Sequence, residues 1–297
     1  MRAVLWFFAA IFGTLLLAAL LAWPAWLAAH ALEPEWPFHR VVGRLWQLLL
    51  FAGLVLACRQ LGLTRRADWG YGLPRARFLR QAGAGLAVGV ATMLPMTLAM
   101  LALGILRLDS DFAPGALATA LAGGLLAGLA VALVEETFFR GAMYGGVARE
   151  AGARVAAWST ALLYSAVHFL ARARIPADEI AVDSGLRLLG GALAHFADPL
   201  PVLDSFVTLV LVGLLLAWVR QRTGSIAACV GLHMGWVGVI KATGAVTRVD
   251  ESAPSSFLVG SFDGYTGWLV AGWAALLMAL AWRRGWPGRA DKGDAHL

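Results

Sequence analysis

Residues 134–141 read VEETFFRG, two carboxylates and a guanidinium set in one of the most apolar stretches of the chain. Upstream is GGLLAGLAVAL and downstream GAMYGGV. A charged side chain at the centre of a bilayer costs about 2.5–3.5 kcal/mol on insertion scales, so groups placed there usually have a task. Arg140 follows Glu136 by four residues, which puts both on one helix face within reach of an ion pair. Glu135 lies about 100° further round the helix and need not join that pair. The arginine then offsets Glu136, and Glu135 is left as a candidate general base.

The bland reading of the same residues is a structural ion pair that locks two helices together. Two histidines enlarge the set. Tyr164-Ser165-Ala166-Val167-His168 places one in an apolar segment, and Cys229-Val230-Gly231-Leu232-His233 places another further on. A lone histidine in a membrane helix often does no more than bond a neighbouring helix. Two of the chain's six, beside a Glu-Glu pair, point to one site. Two histidines and a carboxylate also match the ligand set of a catalytic zinc. Against zinc, the spacing is unlike HExxH and Arg140 beside a cation is unfavourable. The chemistry open to the set is therefore general-base catalysis by Glu135, with zinc dependence as an alternative and no other cofactor.

These groups need a scaffold that holds them inside a membrane. The chain has 297 residues, 60% hydrophobic and 14% charged, which is too apolar for an ordinary soluble domain. A spanning helix needs about 20 mostly apolar residues. Eight segments are expected to span, at 3–29, 41–58, 81–106, 115–148, 153–171, 201–219, 225–246 and 265–283. The fold class is all-α, a polytopic helix bundle. Residues 1–288 are expected to form a single bundle domain, with a disordered cytoplasmic tail over 289–297. The segments are too long for the strands of a membrane barrel and lack their alternation. Ala29-His30-Ala31 after an apolar run resembles a signal-peptide cleavage site, but the run is long and holds Trp23, Pro24 and Trp26, so a retained first span is expected.

The net charge of +6 does not indicate nucleic acid, since no basic stripe is interleaved with stacking aromatics. It follows from orientation. Arg59, Arg65, Arg66, Arg75, Arg77 and Arg80 crowd one loop, which the positive-inside rule places in the cytoplasm. Counting outward puts both termini inside and most acids outside. Trp23, Trp26, Trp36 and Trp46 read as interfacial anchors. The chain is expected in a cell's inner membrane as a multi-pass protein. Cys58 and Cys229 suggest no disulfide framework. Glycines recur at four-residue spacing, as at Gly85 and Gly89, Gly124 and Gly128, and Gly141 and Gly145, which suits close helix packing.

Depth is consistent with one site. Glu135 precedes Arg149 by 14 residues, His168 follows Arg154 by 14, and His233 follows Arg220 by 13. At about 1.5 Å per residue, each group lies roughly 20 Å along its helix from an inner-boundary arginine.

The pattern Glu135-Glu136-x-x-x-Arg140, then Tyr164-x-x-x-His168, then His233 resembles the CAAX protease and bacteriocin-processing (CPBP or ABI) family. Its members are intramembrane glutamic endopeptidases, among them the type II prenyl-protein proteases. The resemblance covers about residues 115–245 as a catalytic core. It implies that Glu135 activates water with help from His168, that Glu136 and Arg140 orient the site, and that His233 helps bind the oxyanion. The implied substrate is a membrane-associated protein or peptide, reached from the lipid bilayer. Two positions depart from the family pattern. Tyr164 stands where phenylalanine is usual, and Val237 stands where the last motif continues to asparagine or aspartate. Trp236, with an indole N–H, is a substitute donor that faces another direction on an ideal helix. Two further readings compete: a membrane scaffold or bacteriocin-immunity factor of the same fold, and a proton-coupled transporter, for which inverted repeats are not evident.

Overall fold

The computed structural model describes residues 2–33, 35–109, 114–170, 173–260 and 262–283. The expected disordered tail lies outside the described residues. In chain order the principal elements are α1 (Arg2–Leu20), α2 (Ala22–Leu32), α3 (Phe38–Gln60), α4 (Arg75–Ala102), β1 (Leu106–Leu108), α5 (Pro114–Glu136), α6 (Tyr144–Ala151), α7 (Ala153–His168), α8 (Ser184–Ala192), α9 (Leu203–Thr223), α10 (Ala227–Gly244), β2 (Thr247–Val249) and α11 (Trp268–Arg283). A π-helical turn over Thr137–Met143 joins α5 to α6. Each of the eight expected segments contains a helix. Among the described residues, five helices are long and apolar enough to cross a membrane: Arg2–Leu20, Phe38–Gln60, Arg75–Ala102, Leu117–Ala151 and Leu200–Thr223. The segment SGLRLLGGA forms the short helix α8.

The helices group into two compact units. One comprises Met1–Thr64 and Ala166–Leu200, the other Arg65–Ser165 and Pro201–Leu297. In the first, α2 and α3 meet around buried Ala22, Phe38 and Val42, with Trp26, Ile175 and Ile180 packed against them. Apolar side chains such as Leu48 and Phe51 point outward from α3, as expected of a surface whose solvent is lipid.

The second unit is organised around α10, which α4 grips from one side and α5 from the other. The grip depends on missing side chains. A Cβ at Gly231 would stand 2.0 Å from the Ala82 carbonyl oxygen, and one at Gly89 would stand 2.5 Å from that of Leu232. Lipid supplies no hydrophobic drive to join helices, so backbones approach through small residues to gain dispersion contacts. The expected role of the glycine spacings holds for Gly85, Gly89, Gly124 and Gly128, all packed on α10. Gly141 and Gly145 differ: they accommodate the carbonyls of Trp69 and Asp68 in the short 3₁₀-helical turn before α4, not a long helix.

At one end of this unit, β1 and β2 form a two-stranded antiparallel ribbon with Arg107 opposite Arg248. At the other, Gly70 turns the chain at φ +79°, and its carbonyl accepts hydrogen bonds from the Ser225 hydroxyl (3.0 Å) and the Ile226 amide (3.2 Å). The arginine-rich loop is thereby tied to the start of α10.

Candidate active site

Three consecutive residues at the end of α5 sample three environments. Val134 is 71% exposed on the outside of the bundle, the Glu135 side chain 24%, and Glu136 fully buried. Steps of about 100° per residue carry the helix surface from lipid to core in that order.

Glu136 lies at the centre of a buried cluster. Arg140 donates from Nη1 to Glu136 Oε1 at 3.3 Å, and both side chains are fully buried. His233 Nδ1 stands 2.9 Å from the same oxygen. An ionised carboxylate only accepts, so Nδ1 carries the hydrogen and Nε2 is turned to the opposite side. There, Nε2 stands 3.9 Å from Glu135 Oε2, beyond direct hydrogen-bond distance. One histidine therefore bridges α5 and α10 between the two glutamates.

Arg140 is held on several sides. Nη2 donates to the Gly213 carbonyl of α9 at 3.4 Å. Its guanidinium carbon lies 4.3 Å from the centroid of the Tyr164 ring of α7, a cation–π contact that is strong where water is excluded. Phe139 meets Tyr164 edge-on at 5.3 Å. Arg220 Nε donates to the Arg140 backbone carbonyl at 3.0 Å. The carbonyl belongs to the π-helical turn, where the widened register shifts backbone bonds off their usual partners; such turns are frequent at functional sites.

The structure thus brings Glu135, Glu136, Arg140 and His233 together. His168 is the last residue of α7, one helical turn beyond Tyr164, where the sequence suggested a position inside a longer span. Arg220, in the last turn of α9, turns its Nε back to the π-helical turn. Sequence reasoning missed Arg220, Gly213 and Tyr71, whose hydroxyl lies 2.6 Å from Thr137 Oγ1. Such partners are distant in the chain and leave no local spacing to read.

The position four residues after His233 is settled in its packing. Val237 lies against Gly128 of α5, whose missing side chain makes room for it. Trp236 is committed elsewhere, since its indole N–H donates to Thr92 Oγ1 at 3.0 Å. Among the described residues, no three His, Cys, Asp or Glu side chains are grouped to hold a metal ion.

Residues 117–239 match the family model of type II CAAX prenyl endopeptidases, Rce1-like. That is the family the motif pattern resembles. The match takes in Glu135, Glu136, Arg140, His168 and His233 and ends just past Val237. No curated protein and no solved structure matches the chain. The Rce1-like family is a protease family, which implies a protein or peptide substrate, and the apolar helices make this a multi-pass membrane protein.

Proposed function

We propose that this protein is an intramembrane glutamic endopeptidase that cleaves a membrane-associated protein or peptide in a cell's inner membrane, through eight spans with both termini in the cytoplasm. The observation that carries the reading is His233 held between Glu136 at 2.9 Å and Glu135 at 3.9 Å. Glu136 is neutralised by Arg140 and serves to orient. Glu135 is the carboxylate with access to the outside and takes the proton of the attacking water. With Nδ1 committed to Glu136, His233 presents Nε2 to the reacting carbonyl and, protonated there, donates to the developing oxyanion. His168 is proposed to assist Glu135 on its motif position, one turn from Tyr164. The exposed Val134 beside Glu135 favours lateral entry of substrate from lipid. No step in this account needs a metal or other cofactor.

Peptides released from membrane proteins in cells carrying the wild type should disappear in cells carrying Glu135→Gln. Identical peptide sets would remove the proposed base. One observation favours a second reading, a non-catalytic scaffold or immunity factor: Val237 supplies no polar partner beside His233. Under that reading Glu135→Gln and His168→Ala retain full biological function.

A further inference from the structure

The first compact unit contains a cavity that the proposed protease site does not use. It has a volume of about 580 Å³ and is formed where the end of α2 and the start of α3 meet residues 174–180. Trp26, Trp36 and Phe38 furnish aromatic wall, and Ile175 and Ile180 the aliphatic part. Trp26 is fixed in place, stacked on His30 at 4.7 Å between ring centres and edge-on to Phe38 at 6.1 Å.

The polar lining carries both signs of charge. Arg174 and His39 stand in it with Glu35. Among the described residues, neither Glu35 nor Arg174 is in a salt bridge. His30 Nδ1 is buried there without a hydrogen-bond partner. Unpaired opposite charges lining one cavity match a ligand that itself carries both. Arginine presents a fork of donors suited to phosphate oxygens. Tryptophan faces attract an ammonium group lying within about 6 Å of the ring, and a carboxylate beside them adds direct attraction.

Position selects the source of that ligand. Phe38 opens a 23-residue helix able to cross a membrane, so the cavity lies at the end of a span. Lipid headgroups occupy that level, and tryptophans concentrate there. We propose that this cavity binds the headgroup of an amine-bearing zwitterionic phospholipid of the bilayer, with its ammonium against Trp26, Trp36 and Glu35 and its phosphate against Arg174 and His39. An anionic lipid without an amine has no use for Glu35 and is repelled by it. A trimethylated headgroup satisfies the tryptophans but cannot donate a hydrogen bond to the carboxylate.

The test uses the full chain in nanodiscs of phosphatidylethanolamine, phosphatidylcholine and phosphatidylglycerol in equal parts. After mild detergent extraction, native mass spectrometry counts the lipid that stays bound. The wild type should retain phosphatidylethanolamine above either competitor. Arg174→Gln and Glu35→Gln, both at exposed residues, should each lower its retention about tenfold, the ratio that 1.4 kcal/mol of lost contact gives. Trp158→Ala, at an exposed tryptophan of the other unit, should leave retention unchanged. Equal retention of the three lipids, a preference for phosphatidylglycerol, or an unchanged Glu35→Gln variant would overturn the proposal. Complete displacement by dilute free phosphoethanolamine would overturn the bilayer source.

Discussion

Two regions of the second unit hold their charges in opposite ways. At the ribbon, Arg107 meets Asp250 at 2.6 Å and Arg248 meets Asp109 at 2.8 Å. At the π-helical turn, Arg140 meets Glu136 at the longer distance of 3.3 Å. Distance alone would rank the ribbon pairs first. Their arginines, however, are 72% and 75% exposed, and water screens the attraction. The Asp250 carboxyl is held below its ordinary range first by hydrogen bonds from the Ser252 hydroxyl and amide, with Arg107 a lesser cause. The buried cluster has no water to fall back on, so removing any partner exposes the others to the full cost of burial. Surroundings, not separation, decide which ion pairs matter.

That contrast can be broken at either end. The largest expected effect is Arg140→Ala, which leaves the Glu136 charge buried and unpaired and should cost about 3–5 kcal/mol. Thermal unfolding in detergent checks it; a small loss would mean that the cluster is not electrostatically coupled. Next is Gly231→Ala, which should cost about 1–3 kcal/mol, because the new methyl drives α10 from α4 and disturbs the His233 position. Arg248→Ala at the ribbon should cost at most about 1 kcal/mol, with the difference shrinking further in high salt. The smallest effect sharpens the surface half. Ser252→Ala should raise the Asp250 pKa more than Arg107→Ala does, as read by carboxylate titration in NMR. The depressed pKa makes Asp250 favour the folded state above the unfolded pKa, a contribution lost as pH falls through the folded value.

Helix geometry made half of the buried cluster legible in the sequence. The spacing of Glu136 and Arg140 fixes their pairing wherever the chain is helical, and the apolar context fixes that they are buried. His233 beside Glu135 followed only from depth along two helices, a weaker argument that assumes where the membrane begins. The contact of Arg220 with the Arg140 carbonyl joins residues 80 apart and leaves no local spacing to read. The π-helical turn was not legible either, since TFFRGAM has the apolar content of an α-helix. Among the eight helical segments, three were read as spans although the helices themselves are shorter or more polar than the other five. The departure at Val237 is legible in the sequence, but its close seat on Gly128 is visible only in three dimensions.

The central claim is that Glu135, and not its buried neighbour, activates water. Because its side chain is only partly buried, Glu135→Gln should leave thermal stability close to wild type. Cleavage of a substrate peptide by the purified variant in detergent, measured beside that stability, tests the claim most directly. The account predicts a loss of about 10²–10⁴-fold in kcat/KM in a fully folded protein. Cleavage equal to wild type would contradict it.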